Sequence, residues 1–148
     1  SNAATLGGNG GPEPDPISLG TAFLYAQFSA GTLTGYSSAV VANQNELQAA
    51  FWFLEDESFN IPVAIAPYLN ASNQYIAWAE GQLGKTLAQL MVDANGAYGV
   101  GVVNLYTDRA LTQNAQDMLY KVPDGGLTVM LLGLGLGGLA LFSRKFRS

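Results

Sequence analysis

The chain contains no cysteine and no histidine among its 148 residues. Without these side chains it cannot form a thiolate or imidazole metal site, a cysteine nucleophile or a serine–histidine–aspartate triad. Charge is also scarce, because charged residues make up 11% of the chain, against about a quarter in an average soluble domain. These absences exclude those classes of site, and we expect no metal, no cofactor and no catalytic activity.

Basic residues are few and are unevenly placed along the chain. There are 6 Lys and Arg against 11 Asp and Glu, which gives a formal net charge of -5. Binding to nucleic acid needs clustered Lys and Arg, so the sequence predicts no nucleic-acid partner. All the acidic residues precede residue 127. The charged residues within 127–148 are three bases, which we call the basic cluster: Arg144, Lys145 and Arg147.

An uncharged apolar run occupies residues 127–142, directly before the basic cluster. As a helix rising ~1.5 Å per residue, this run would cover about 24 Å of a bilayer core that is roughly 30 Å thick. Its glycines would weaken a helix in water. The sequence therefore predicts a short transmembrane helix with the basic cluster on the cytoplasmic side and the preceding residues outside.

The five residues before this run, 122–126, read Val-Pro-Asp-Gly-Gly. Together with the glycine-rich apolar run and the basic cluster, they resemble the PEP-CTERM class of sorting signals, in the variant that begins Val-Pro-Asp. Proteins of that class are exported by Gram-negative bacteria that make extracellular polysaccharide, and an exosortase, a membrane cysteine peptidase, processes them near the motif. The resemblance implies a sorting motif of four residues: Val122, Pro123, Asp124 and Gly125.

The resemblance also implies a function and a location. We expect a non-catalytic surface or extracellular-matrix protein of the cell envelope, transiently anchored in the inner membrane with its C-terminus in the cytoplasm. Its expected partners are exosortase and membrane lipid, with exopolysaccharide or a second copy of the chain as further candidates. Two alternatives stay open, namely a secreted carbohydrate-active enzyme that uses Glu55, Glu57 or Asp117, and an adhesin that self-assembles through sheet edges.

Residues 1–16 are expected to lie outside the fold. The first three residues are typical of an expression-tag remnant. Residues 4–16 contain four glycines and three prolines, a composition that predicts a flexible leader.

Residues 17–121 are predicted to form an α+β ectodomain, an antiparallel sheet of about four strands with two packed helices, followed by the C-terminal hydrophobic helix. Alternation in residues 17–33 predicts a first strand, with a hairpin partner at residues 36–41. Residues 98–106 are rich in β-branched side chains and predict a buried strand. Residues 115–122 predict the last strand.

The two helices are expected at residues 43–55 and 73–93. In the first, Asn43 and Glu46 have the spacing of a capping box, and an apolar stripe follows at 3.6-residue spacing. The stripe consists of Leu47, Ala50, Phe51 and Leu54. In the second, Ser72 is the expected cap, and Gly81 and Gly84 weaken the continuity of the helix. Residues 61–69 are expected to be irregular or a short helical turn, and residues 93–96 to form a turn.

The stretch Leu-Gln-Ala-Ala-Phe-Trp at residues 47–52 resembles the Gln-x-Ala-aromatic-Trp signature of bacterial thioester adhesion domains. In those domains a glutamine is joined to a cysteine, and the matching glutamine here is Gln48. Because the chain has no cysteine, a thioester is chemically impossible, so Gln48 can have only a structural or altered role. We expect Tyr25 and Gln27 to supply the hydrogen bonds that a buried Gln48 would need.

Four residues form the candidate structural or ligand site: Gln48, Trp52, Glu55 and Glu57. With Asp56, the two glutamates make the densest acidic cluster in the chain. A glycosidase needs two carboxyl groups about 5 to 9 Å apart in space. Carboxylate oxygens also suit calcium, although a solvated helix end explains the same cluster more simply.

Overall fold

The computed structural model describes residues 3–4, 14–57, 61–107 and 118–122. These residues form four helices, two 3₁₀ turns and two small antiparallel sheets. The helices are α1 (Leu19–Ser29), α2 (Val41–Leu54), α3 (Gln74–Leu83) and α4 (Leu87–Leu90). The strands are β1 (Ala3–Ala4), β2 (Asp15–Pro16), β3 (Val100–Val103) and β4 (Met118–Lys121), and the 3₁₀ turns are Ala66–Tyr68 and Ala97–Gly99.

The first predicted strand is wrong, because most of residues 17–33 form helix α1. Ser18 caps this helix, since its Oγ accepts a hydrogen bond from the Thr21 N–H at 3.2 Å. Phe23 and Leu24 are both buried although they are neighbours, which alternating strand geometry would not allow at a one-sided sheet. A helix that is apolar on nearly every side has no polar stripe to reveal its period, so the local alternation was misleading.

The predicted hairpin partner at residues 36–41 is also wrong, because this stretch turns and leads into α2.

Residue 20 shows how closely α1 packs against its neighbours. A Cβ atom on Gly20 would lie 2.9 Å from Leu54 Cδ1 and 3.2 Å from Leu90 Cβ. The glycine therefore allows α1 to approach α2 and α4 directly, in the place where the sequence predicted a sheet.

The helix predicted at residues 43–55 is confirmed as α2, and its buried residues include Leu47, Ala50 and Leu54. The predicted capping box is wrong. The cap position is Val40, which has no side-chain cap, and Asn43 Oδ1 accepts instead from the Ser37 N–H at 3.2 Å. Glu46 turns towards the next helix and accepts a hydrogen bond from Gln74 Nε2 at 2.6 Å.

The second predicted helix is divided into α3 and α4. The cap of α3 is Asn73 rather than Ser72, because Asn73 Oδ1 accepts from the Tyr75 N–H at 2.9 Å. The helix ends at Gly84, whose φ of 60° is left-handed. A capping box of Thr86 and Gln89 then starts α4, so the interruption that the glycines predicted is confirmed.

A pair of glycine substitutions tests this helix boundary. Gly81→Ala should stabilise the fold by about 0.5–1 kcal/mol, because it replaces glycine inside a helix. Apart from its chain neighbours and the backbone of its own helix, no atom of the described residues would lie within 4 Å of the new Cβ. Gly84→Ala should instead destabilise the fold by about 1–2 kcal/mol, since it forces a side chain into the left-handed region. Urea denaturation of the two variants measures both changes, and effects of the same sign would contradict the boundary.

The predicted strands near residues 98–106 and 115–122 are confirmed as a shorter antiparallel pair, β3 and β4. Val100 lies opposite Lys121, and Val103 lies opposite Met118. The turn predicted at residues 93–96 is also present, with Asp93 Oδ1 accepting from the Asn95 N–H at 2.7 Å. The expected short helical turn within residues 61–69 is the 3₁₀ turn at Ala66–Tyr68.

The predicted single sheet of about four strands is wrong for the described residues, which form two separate two-stranded sheets. The second sheet pairs β1 with β2, with Ala3 opposite Pro16. Mixed helix and strand content is confirmed. The sheet stays small because most of residues 17–33, where a strand is predicted, form the central helix α1.

The core consists of two clusters on either side of α1. The larger one joins α1 to the other helices, and its members include Leu24, Leu54, Ile76 and Leu90. The smaller one packs α1 against β3 through Ala22, Ala26, Val100 and Val102. Within the described ranges no helix has the length and apolarity to cross a membrane. The predicted span at residues 127–142 and the basic cluster lie outside those ranges.

Candidate functional site

Glu55 joins the end of α2 to the beginning of α1. Its Oε1 accepts hydrogen bonds from Ser18 Oγ at 2.8 Å and from the Ser18 N–H at 3.1 Å, and its Oε2 lies 3.3 Å from the same nitrogen. The first N–H groups of a helix lack partners within the helix and carry partial positive charge. The Glu55 carboxylate therefore completes the start of α1.

Burial raises the pKa of Glu55 above its ordinary value of 4.5, the nearby Thr21 hydroxyl and the hydrogen bonds from Ser18 lower it, and the negative charge of Asp15 raises it further. Among the described residues, Thr21 Oγ1 is buried and has no hydrogen-bond partner. Burial therefore costs the ionised form of Glu55 more than its hydrogen bonds from Ser18 recover.

Trp52 and Glu57 line a different feature, a small cavity of about 190 Å³. Its lining residues are Trp52, Phe53, Asp56, Glu57, Leu69 and Met91. Partial burial raises the pKa of Glu57, and Asp15 raises it further. The chain turns out of α2 at Asp56, whose φ is 57°. This cavity is smaller than the roughly 300–1,000 Å³ of typical ligand sites.

Gln48 faces a third location, a cavity of about 480 Å³. The lining residues are Tyr25, Phe28, Tyr36, Gln44, Leu47, Gln48, Phe51, Met118 and Leu119. The expected hydrogen-bond partners of Gln48 are wrong. Tyr25 Oη donates to the Leu119 carbonyl at 2.8 Å, and Gln27 Oε1 accepts from Thr32 Oγ1 at 2.6 Å.

The structure thus divides the four residues of the candidate site among three locations. Glu55 completes a helix end, Trp52 and Glu57 line the small cavity, and Gln48 lines the large one. Within the described part of the chain, no three acidic side chains are grouped so as to hold a metal ion. Asp117, the third acid of the enzyme alternative, lies outside the described residues.

The sequence did not single out the aromatic pair Phe28 and Tyr36, which borders the large cavity. The two ring centroids are 5.2 Å apart and the rings are nearly perpendicular, at 88°. Phe28 is 38% exposed. The i, i+3 spacing of Tyr25 and Phe28 places both on one helix face, and this signal would have been readable had the segment been identified as a helix.

The comparison with protein families finds a sorting signal. A family model described as the VPDSG-CTERM motif matches residues 121–146, a range that includes the predicted motif, the apolar run and part of the basic cluster. Gly125 stands where the name of the motif has serine. No curated protein and no solved structure is significantly similar to the chain. The resemblance to thioester adhesion domains is not shown by these comparisons.

Of the matched residues, the structure describes Lys121 and Val122. Lys121 is the last residue of β4, and the Val122 N–H donates to the Gly99 carbonyl at 2.8 Å. The folded part therefore reaches the first residue of the motif. Residues 121–146 carry a VPDSG-CTERM motif, a PEP-CTERM-like sorting signal, and this motif indicates an exported protein that is targeted to exosortase.

Proposed function

We propose that the chain is a non-catalytic surface or extracellular-matrix protein, which exosortase processes at the sorting motif and which associates with extracellular polysaccharide. The observation that carries the proposal is the match of the VPDSG-CTERM motif to residues 121–146. A sorting signal of this kind commits the rest of the chain to work beyond the cytoplasm. The ectodomain is then the part that meets the envelope or the matrix.

The position of the motif supports a role for the ectodomain after processing. Along the described residues, Val122 makes the last backbone hydrogen bond, to Gly99, and β4 ends one residue earlier. Cleavage within or after the motif would leave the β3–β4 pairing from Val100 to Lys121 in place. The released protein would therefore keep its folded structure.

The use of Glu55 supports a non-catalytic role. This carboxylate accepts hydrogen bonds from both the N–H and the Oγ of Ser18, so its oxygens serve the junction of two helices. Glu57 lines only the small cavity beside Trp52. Neither arrangement resembles a pair of carboxyl groups facing each other across a cleft wide enough for a sugar.

Substitutions in the motif test the proposal. In a bacterial host that has the exosortase, Pro123→Ala and Asp124→Ala should block processing, so that the unprocessed chain accumulates in the membrane fraction and little reaches the envelope or the medium. Proline favours an extended, accessible backbone, which a peptidase needs at the site it cleaves. Cell fractionation with immunoblotting measures both forms.

The matched control is Pro67→Ala, which replaces an exposed proline in the 3₁₀ turn of the folded part. This variant should be processed and exported like the unaltered chain. Normal processing of both motif variants, or a cytoplasmic location of the unaltered protein, would contradict the proposed function.

A further inference from the structure

The large cavity continues beyond the aromatic pair into a second one. A cavity of about 380 Å³ is lined by Phe28, Gly31, Leu33, Tyr36, Ser37 and Ser38. It shares Phe28 and Tyr36 with the cavity of about 480 Å³ that Gln48 lines. The two therefore adjoin across the aromatic pair, and we call them together the aromatic groove. Each has the size of a typical ligand site, roughly 300–1,000 Å³.

Aromatic rings form much of the wall of the aromatic groove. Tyr25 lies between Phe28 and Phe51, at centroid distances of 6.1 Å and 6.5 Å, and Phe28 contacts Tyr36 edge to face at 5.2 Å. The face of an aromatic ring is apolar and carries partial negative charge. The C–H bonds on one face of a sugar ring are apolar and slightly positive, so the two surfaces are complementary. Phe28, at 38% exposure, is available for such a contact.

The polar groups of the groove are neutral amides and hydroxyls. Gln44 Nε2 donates to the Ser38 carbonyl at 2.7 Å, which fixes one amide and leaves its oxygen as an acceptor. Gln48 adds a second amide to the same cavity, and Ser37 and Ser38 border the other. Amides and hydroxyls both donate and accept, as the hydroxyl groups of a sugar do.

Charge separates this groove from the cavity beside Trp52. None of the described residues that line the two adjoining cavities is charged, whereas Asp56 and Glu57 line the small one. The chain as a whole has a formal net charge of -5, which disfavours the approach of a polyanion. The groove therefore suits an uncharged ligand.

We infer that the aromatic groove binds a neutral polysaccharide, with neighbouring sugar units in the two cavities and the Phe28–Tyr36 pair between them. This inference rests on the proposed function, because it names the residues through which the ectodomain would contact matrix polysaccharide. Two adjoining cavities fit a chain of linked sugars better than a single small molecule. The aromatic pair supplies stacking, and the glutamines and serines supply hydrogen bonds.

Affinity electrophoresis of the purified full chain tests the inference. Native gels contain dextran or galactomannan as neutral probes, or alginate as an acidic one. We expect a neutral probe to retard the protein and alginate to leave it unretarded. Phe28→Ala should weaken binding to the neutral probe about tenfold, in line with the loss of a stacked ring. Gln48→Leu should weaken binding by a smaller factor through loss of the amide.

Trp52→Ala is the matched control, since it removes an aromatic ring from the other cavity. It should leave binding unchanged, and thermal melting of each variant establishes that the chain remains folded. The inference would be overturned if Phe28→Ala and Gln48→Leu both bound the neutral probe as well as the unaltered chain does. It would also be overturned if the unaltered chain preferred alginate, or if neither dextran nor galactomannan retarded it. A dimer that Phe28→Ala dissociates would also overturn it, because a second copy would then fill the groove.

Failure of this inference can be told apart from failure of the proposed function. Phe28→Ala leaves the sorting motif intact, so it should be processed and exported like the unaltered chain. If the processed protein remains with the matrix polysaccharide whether or not Phe28 is present, the aromatic groove is not the binding site and the proposed function stands. If the unaltered chain is neither processed nor exported, the proposed function fails, whatever the gels show.

Discussion

Leu24→Ala should lower the free energy of unfolding by about 2–5 kcal/mol, the largest loss that we expect from a single substitution in this fold. Leu24 is 0% exposed and belongs to the cluster that joins α1 to the other helices. Its removal leaves a cavity that the surrounding side chains cannot fill. Small domains are stable by only about 5–15 kcal/mol, so the change is readily measured by urea denaturation.

Val63→Ala provides the control for Leu24→Ala, because Val63 is 90% exposed. It should change the free energy of unfolding by less than about 0.5 kcal/mol. Phe23→Ala should be costly as well, since Phe23 is buried at 6% exposure beside Leu24. A large loss at one of these two neighbours and almost none at the other would favour the strand that the alternating pattern suggested, and would contradict a central helix.

Substitutions of Glu55 should have the second-largest effect, and the sign should depend on the replacement. Glu55→Ala removes the acceptor for the Ser18 N–H and Oγ, and should destabilise the fold by about 1–3 kcal/mol. Glu55→Gln keeps one acceptor oxygen for Ser18 and removes the negative charge whose burial is costly. We therefore expect Glu55→Gln to be at least as stable as the unaltered chain at neutral pH.

The raised pKa of Glu55 determines how these effects change with pH. The folded state holds this proton more tightly than the unfolded state, whose carboxyl keeps the ordinary value of 4.5. Its contribution to stability is therefore fully present below pH 4.5 and is lost as the pH rises through the folded pKa. Glu55→Gln should gain most over the unaltered chain at neutral pH, and the gain should shrink as the pH approaches 4.5.

Thermal melting of Glu55→Gln and of the unaltered chain at pH 7.5 and pH 5 measures this gain. A gain of about 1 kcal/mol moves the melting midpoint of a domain this size by roughly 2–8 °C. Glu80→Gln on α3 is the matched control for the loss of one negative charge. A penalty for Glu55→Gln that grows towards neutral pH would show that folding favours the ionised form of Glu55, and would contradict the raised pKa of this carboxyl.

The sequence predicts a helix correctly where one face of the helix is apolar and the other is polar. Helix α2 was predictable because its buried residues Leu47, Ala50 and Leu54 recur at helical spacing against polar neighbours. Helix α1 was not, because it is buried on nearly all sides and its alanines and aromatics alternate by chance. The predicted four-stranded sheet is wrong for the same reason, because it includes the segment that forms α1.

The candidate site was predictable only in part, for a related reason. Gln48 was identified from a local motif, and the structure places it in a large cavity. Its neighbours Phe28 and Tyr36 meet only when residues 19–29 are helical and the following turn folds back, so no local pattern marks them. The sorting signal was readable directly, because it depends on a continuous stretch of sequence rather than on packing.

The intact mass of the protein recovered from the envelope or the medium tests the central claim most directly. Cells that have the exosortase should yield a chain that has lost the residues after the sorting motif, and cells that lack it should yield the unprocessed chain in the membrane fraction. The same mass and the same location with and without exosortase would contradict the account.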